Sequence, residues 1–391
     1  MILVLTLTAL ALFVYQIHFK KTGFYPLLTL YIPILLYLLF IIEVYYTPIE
    51  YFISDEIGYW GSEFNDLNIT MYDRIAWYSL NYFFKNIDIG GVIAIKLINI
   101  PILFFTLYMM WSQFFKDKRV FLVILVLPYL GFLATKNLRD IFVLFLIVSS
   151  VWLLHKSRFG KIVFLFPLII LFFTRPFLGV ISVLVITIEP VFRKYFKFSI
   201  LKARFIINKK IVVYILAASV AFFVVLSIPY VNKRINSYLL YLNYYSIGEG
   251  YQYKIEERGG IATNNVLLDY AIGAVRYIFT PIPTSMAQRM LTGGSEQWGI
   301  MDDVIRTLNQ LFYYFLLFYA IYNSRSILVN LKYLNAGARQ LLLLLFAYLP
   351  LYTFFGFGVA HQRNKLPFQI AIFLLFIVNT YLNQKKIQDE L

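Results

Sequence analysis

Five short segments carry the residues best suited to chemistry. In SDEIGYW, Asp55 and Glu56 are adjacent carboxylates between aromatic residues. Held close together, such a pair repel, which raises one pKa and leaves a usable base; the plainer alternative is two solvated loop acids. KNLRD supplies Lys136 and Arg139, and TRP supplies Arg175. Each arginine falls in the middle of an apolar stretch, where a charge is costly unless it faces a partner or an aqueous cavity. A planar guanidinium binds phosphate oxygens through two hydrogen bonds at once. The alternatives are snorkelling towards headgroups or an internal Arg139–Asp140 pair. Arg276 and Arg289 bracket a Pro-x-Pro turn in AVRYIFTPIPTSMAQRM, suited either to an anionic headgroup or to simple anchoring. AHQRNKLP places His361, Arg363 and Lys365 within five residues ahead of Pro367. His361 would be an acid or base near neutral pH, with Arg363 beside it for phosphate. Lys96, inside an apolar run, is a weaker candidate that could equally snorkel.

The elements that must position these groups are membrane segments. The chain has 391 residues, 61% hydrophobic and 14% charged, far from the composition of a soluble domain. Clear spans are expected at Ile2–Ile17, Tyr25–Glu43, Ile89–Trp111, Ile211–Ile228, Val304–Tyr322, Leu341–Phe357 and Phe368–Leu382. Val120–Leu154 and Ile162–Pro190 each lie between basic segments, so each must cross an even number of times. Both are short for two full spans and are read as hairpins, with apices at Thr135–Asp140 and Thr174–Pro176. Irregular backbone at such apices must be buried in protein or line a water-filled cavity. The expected fold is therefore an all-α, polytopic membrane bundle of about eleven segments, a single transmembrane domain over residues 1–391. It has two large external loops, at 45–88 and 229–303, the second a candidate cap.

Charge sets the orientation. Lys20–Lys21, Lys116–Arg119, Lys156–Lys161, Arg193–Lys210, Arg325–Arg339 and Lys385–Lys386 hold 20 of the 35 basic residues, and only four of the 20 acids lie in or beside them: Asp117, Glu189, Asp389 and Glu390. The opposite face holds 14 bases against 16 acids. By the positive-inside rule the first set is cytoplasmic, the C-terminus is inside and the N-terminus outside. The net charge of +15 is then an adaptation to an anionic inner leaflet and calls for no nucleic-acid partner. The chain has no cysteine and three histidines, which excludes thiolate chemistry and disfavours a His-built metal site. No cofactor and no metal are expected.

The order DE…KNLRD…TRP…P-x-P…HxR, on many spans with a long external loop in the second half, resembles Wzy-type polymerases of bacterial surface polysaccharide. Those enzymes join O-antigen or capsule repeat units carried on undecaprenyl pyrophosphate, in the cytoplasmic membrane and on its outer face. The resemblance implies that Arg139, Arg175, Arg276, Arg289 and Arg363 bind the lipid pyrophosphate; Lys136, on the same apex as Arg139, is a further candidate for substrate binding. It implies partners as well: the lipid-linked oligosaccharides, membrane lipids, and a chain-length regulator or flippase. The first-loop acids look like those of type C glycosyltransferases, which would put the catalytic base at Asp55 or Glu56; the polymerase likeness puts it at His361. A lipid-linked oligosaccharide flippase is the remaining alternative.

Overall fold

A computed structural model of the chain describes residues 75–87, 91–195, 265–280, 282, 299–331, 333–356 and 362–390. Every regular element among them is helical. Helix α1 is Ile75–Ile87 and α2 is Gly91–Met109, which continues into a π-helical turn, Met110–Phe115. That turn closes on Lys116, whose φ of 54° lets its N–H reach the Trp111 carbonyl at 2.9 Å. After a 3-10 turn at Lys118–Leu122 come α3 (Val123–Val126) and α4 (Pro128–Leu133), the break between them set by Pro128 at the first helical position. The backbone then loses helical form until α5, Asp140–Lys156. Next are α6 (Gly160–Val163), α7 (Leu165–Thr174) and α8 (Pro176–Tyr195). Helices α9 (Val266–Phe279), α10 (Gly299–Tyr322), α11 (Ser324–Leu331), α12 (Ala336–Phe346), α13 (Tyr348–Gly356) and α14 (Gln362–Glu390) complete the described chain.

Three of these helices contain segments long and apolar enough to cross a membrane: Ile98–Phe115, Asp302–Tyr322 and Arg363–Asn383. Gly160–Thr174 and Pro176–Thr187 are shorter apolar helices, as the hairpin reading requires. The spans expected at Ile2–Ile17, Tyr25–Glu43 and Ile211–Ile228, and residues 45–74 of the first external loop, lie outside the described residues; residues 75–87 of that expected loop are helix α1. Leu341–Phe357 is not one span but two helices interrupted at Ala347. Pro350 is the physical reason: it has no N–H to give the Phe346 carbonyl. Two other boundaries also move. Helix α10 starts ahead of Val304, which puts Asp302 and Asp303 in the helix, and α14 starts at Gln362, so the expected loop around Arg363 and Lys365 is helical.

The chain divides into two compact units. One comprises Met1–Val183, Pro281–Tyr348 and His361–Leu391; the other comprises Leu184–Thr280 and Leu349–Ala360. The second contains α9, where Tyr277 stacks on Tyr352 with ring centroids 6.1 Å apart.

In the first unit α5 packs against α2, α7 and α12, and α14 packs against α10, α11 and α12. Near the start of α2, Asn99 bonds to backbone just ahead of α5; near their far ends, a Cβ at Gly337 would lie 2.7 Å from Phe114 and 3.1 Å from His155. Helices α2 and α5 therefore run the same way, and residues 116–139 return between them. In the second hairpin a Cβ at Gly179 on α8 would sit 3.0 Å from the Phe172 Cα on α7. Helices α10 and α14 also run together, tied by Asn309–Gln369 at 2.9 Å and by the Tyr319 and Phe376 rings at 4.8 Å. Arg175 meets Asn364 at one end, and Asn335 holds the Gln113 and Phe114 carbonyls at the other. The basic segments near 116–119, 156–161 and 325–339 thus gather at one end of this unit. Both hairpin apices lie at the opposite end.

Candidate functional site

The first apex is built by side chains that hold its backbone. Thr135 N–H and Lys136 N–H turn back to Phe132 and Leu133 carbonyls. Asn99 Nδ2 donates to the carbonyls of Lys136 at 2.8 Å and Leu138 at 3.0 Å. Asn137 Nδ2 donates to Asn81 Oδ1 at 2.7 Å, and Asn81 is anchored in turn on the Trp77 carbonyl. Thr135, Lys136, Asn137 and Arg139 are all buried. Irregular backbone inside an apolar bundle survives only with such partners.

The second apex docks on the first through two reciprocal contacts. Arg139 Nη1 donates to the Thr174 carbonyl at 2.9 Å. Arg175, extended between α7 and α8, places Nη2 at 3.2 Å from Asp140 Oδ1. Asp140 thus makes an ion pair across the apices. The same Nη2 lies 3.5 Å from Asn364 Oδ1, at the start of α14 and next to Arg363. Arg139 and Arg175 come from separate elements and meet here, and Arg363 lies one residue before Asn364 on a third. Arg175 and Arg363 are half-buried and Arg139 is buried.

Behind them lies a second polar layer. Lys136 Nζ sits 4.6 Å over the Phe132 ring. Arg306 Nη2 is 2.8 Å from Asp302 Oδ2, one turn back on α10, and its guanidinium lies 5.3 Å over Tyr129 on α4. Lys136 and Arg306 both feel the Asp302 charge. Asn309 accepts the Tyr129 N–H at 3.3 Å and donates to Gln369, which reaches Gln310 at 3.2 Å.

Tyr129, Asp302, Arg306, Asn309, Gln310 and Gln369 were not expected from sequence. A signal for four of them is present: in an apolar run, Asp302, Arg306, Asn309–Gln310 and Tyr313 recur every three to four residues and mark one polar helix face. Of the expected site residues, Lys136, Arg139 and Arg175 are brought together, and Arg363 is next to Asn364 at the same end. Arg276 belongs to the second unit, near the end of α9, where partial burial lowers its pKa from the ordinary guanidinium value. Asp55, Glu56, Arg289 and His361 lie outside the described residues. Among the described residues no three acidic or histidine side chains converge to hold a metal ion.

The arrangement sets Lys136, Arg139, Arg175, Arg306 and Arg363 against Asp140, Asp302 and Asp303. Fixed cations in excess, in water-poor surroundings, suit a multiply charged anion and stabilise charge that develops on it. No protein-family model, no curated protein and no solved structure matches this chain.

Proposed function

We propose that this chain is a membrane glycosyltransferase: a polymerase that joins oligosaccharide repeat units carried on undecaprenyl pyrophosphate. The observation that carries this reading is the meeting of Arg139 and Arg175, with Arg363 adjoining Asn364 beside them, at one end of the helical unit, opposite the gathered basic loops. With those loops at the cytoplasmic face, the site opens to the outer face of the bacterial cytoplasmic membrane. The anomeric carbon of a lipid-linked sugar already bears a good leaving group. The protein's task is to hold donor and acceptor side by side, neutralise the departing pyrophosphate and accept one proton. Arg139, ordered by the Thr174 carbonyl, and Arg175, ordered by Asp140, are aligned before any anion arrives.

The type C glycosyltransferase reading rests on Asp55 and Glu56. The flippase reading draws on the Asp302–Arg306 pair inside an apolar helix. Transport sites lie near the bilayer midplane, whereas these charges cluster towards one end of their helices, which favours transfer chemistry at a surface.

Lipid-linked glycans extracted from cells lacking the chain test the reading. Loss of polymerisation leaves single complete repeat units on the outer leaflet and no ladder. A type C enzyme would leave repeat units one sugar short, and a flippase complete units confined to the inner leaflet. An unchanged ladder overturns the proposal.

A further inference from the structure

We infer that Asp302 is the general base that takes the proton of the acceptor hydroxyl, an assignment that rests on the transferase reading above. Asp302 lies in the first turns of α10, only 1% exposed. Arg306 sits against one of its oxygens, while Oδ1 accepts no hydrogen bond from any described residue. A buried carboxylate oxygen without a donor is rare, because it has given up water and gained nothing in return. An ion pair kept only for packing would satisfy both oxygens or be replaced by apolar side chains. The carboxylate stands among residues from three elements. Lys136 on the first apex bears on it through its charge, Arg306 pairs with its other oxygen from the same helix, and Tyr129 on α4 lies against the Arg306 guanidinium. Lys136 also belongs to the apex that aims Arg139. The base and the anion-binding arginines are thus parts of one rigid assembly.

The step balances without any further reagent. The acceptor oxygen forms a bond to the donor's anomeric carbon as the bond from that carbon to the pyrophosphate oxygen breaks. The bonding pair leaves with the pyrophosphate, whose charge the arginines hold, and the acceptor's proton passes to Asp302.

The test uses the purified full-length chain in lipid nanodiscs. The substrate is the undecaprenyl-pyrophosphate-linked repeat unit; undecaprenyl pyrophosphate is the binding probe. Asp302→Asn is expected to cut the polymerisation rate by ~10²–10⁴-fold. Binding of undecaprenyl pyrophosphate should be unchanged, and Asp302→Glu should recover part of the rate. Polymerisation by Asp302→Asn at the wild-type rate overturns the inference and leaves the transferase reading intact. Equal loss of rate and binding makes Asp302 a positioning residue of the anion site and also overturns it. So does failure of both variants to fold, which would assign Asp302 to the scaffold. If the wild-type chain itself does not polymerise, the transferase reading fails first and takes the inference with it.

Discussion

Replacing Asn99 with Leu tests whether the first apex is held as described. The two side chains have similar size, so the change removes hydrogen bonds and little volume. Asn99 is fully buried and its Nδ2 serves two carbonyls, those of Lys136 and Leu138, at 2.8 and 3.0 Å. Leaving a buried carbonyl unsatisfied costs about 1–3 kcal/mol, so the pair sums to ~2–6 kcal/mol. Polar groups released within a membrane protein find some substitute partners, which places the expected loss near ~2 kcal/mol. A loss of ~2 kcal/mol makes opening of the apex ~30-fold more frequent. Hydrogen exchange across Thr135–Asp140, in detergent or nanodiscs, reads that ratio directly. Polymer yield should fall with it, since Lys136 and Arg139 ride on the same turn. Asn86→Leu is the control: it removes one exposed bond to the Tyr82 carbonyl and should shift stability by no more than ~0.5 kcal/mol. Unchanged exchange in Asn99→Leu would show that the apex is held by something else.

Arg175→Lys keeps the charge but loses the planar fork, and should weaken undecaprenyl pyrophosphate binding ~10-fold or more in a nanodisc titration. Unchanged affinity would remove Arg175 from the anion site. Because the chain has no cysteine, single cysteines report topology cleanly. Ser199 and Ser326 positions should label only from the cytoplasm, Ser62 and Ser246 only from outside, and external labelling at Ser199 would invert the orientation. The neutral variants Asp55→Asn, Glu56→Gln and His361→Gln should each polymerise within ~10-fold of wild type, since the proton goes to Asp302; a loss of ~10² or more in one of them would return the base to that loop.

The two hairpins were legible because sequence forces parity: Val120–Leu154 lies between basic segments and had to double back, with its polar residues at the turn. The observed break at Ala134–Arg139 is one residue ahead of the expected apex Thr135–Asp140, and that at Arg175 falls within Thr174–Pro176. What sequence could not give was the pairing between them. Arg139 with Thr174 and Arg175 with Asp140 are each 35 residues apart, and nothing local ties one to the other. The Asp302–Arg306 pair escaped for a different reason. Averaged hydropathy placed the helix start at Val304 and so treated Asp302 and Asp303 as loop acids, whereas the helical repeat of polar residues runs straight through that boundary. Pro350 lies within the expected span Leu341–Phe357, and the structure breaks the helix one residue after Phe346.

The crossed ties between the apices also bear on how the protein is made. When Arg139 and Asp140 leave the ribosome, Thr174 and Arg175, 35 residues behind, are still enclosed within it, and Asn364 follows far later. During that interval the first hairpin carries a guanidinium and a carboxylate whose later partners have not arrived, in surroundings where unmatched charge is costly. The hairpin should therefore linger in the insertion channel or sit shallowly in the bilayer until its neighbour arrives. The two hairpins would then enter as a pair, so a chain truncated between Lys156 and Thr174 should be extracted far more readily than one ending after α8.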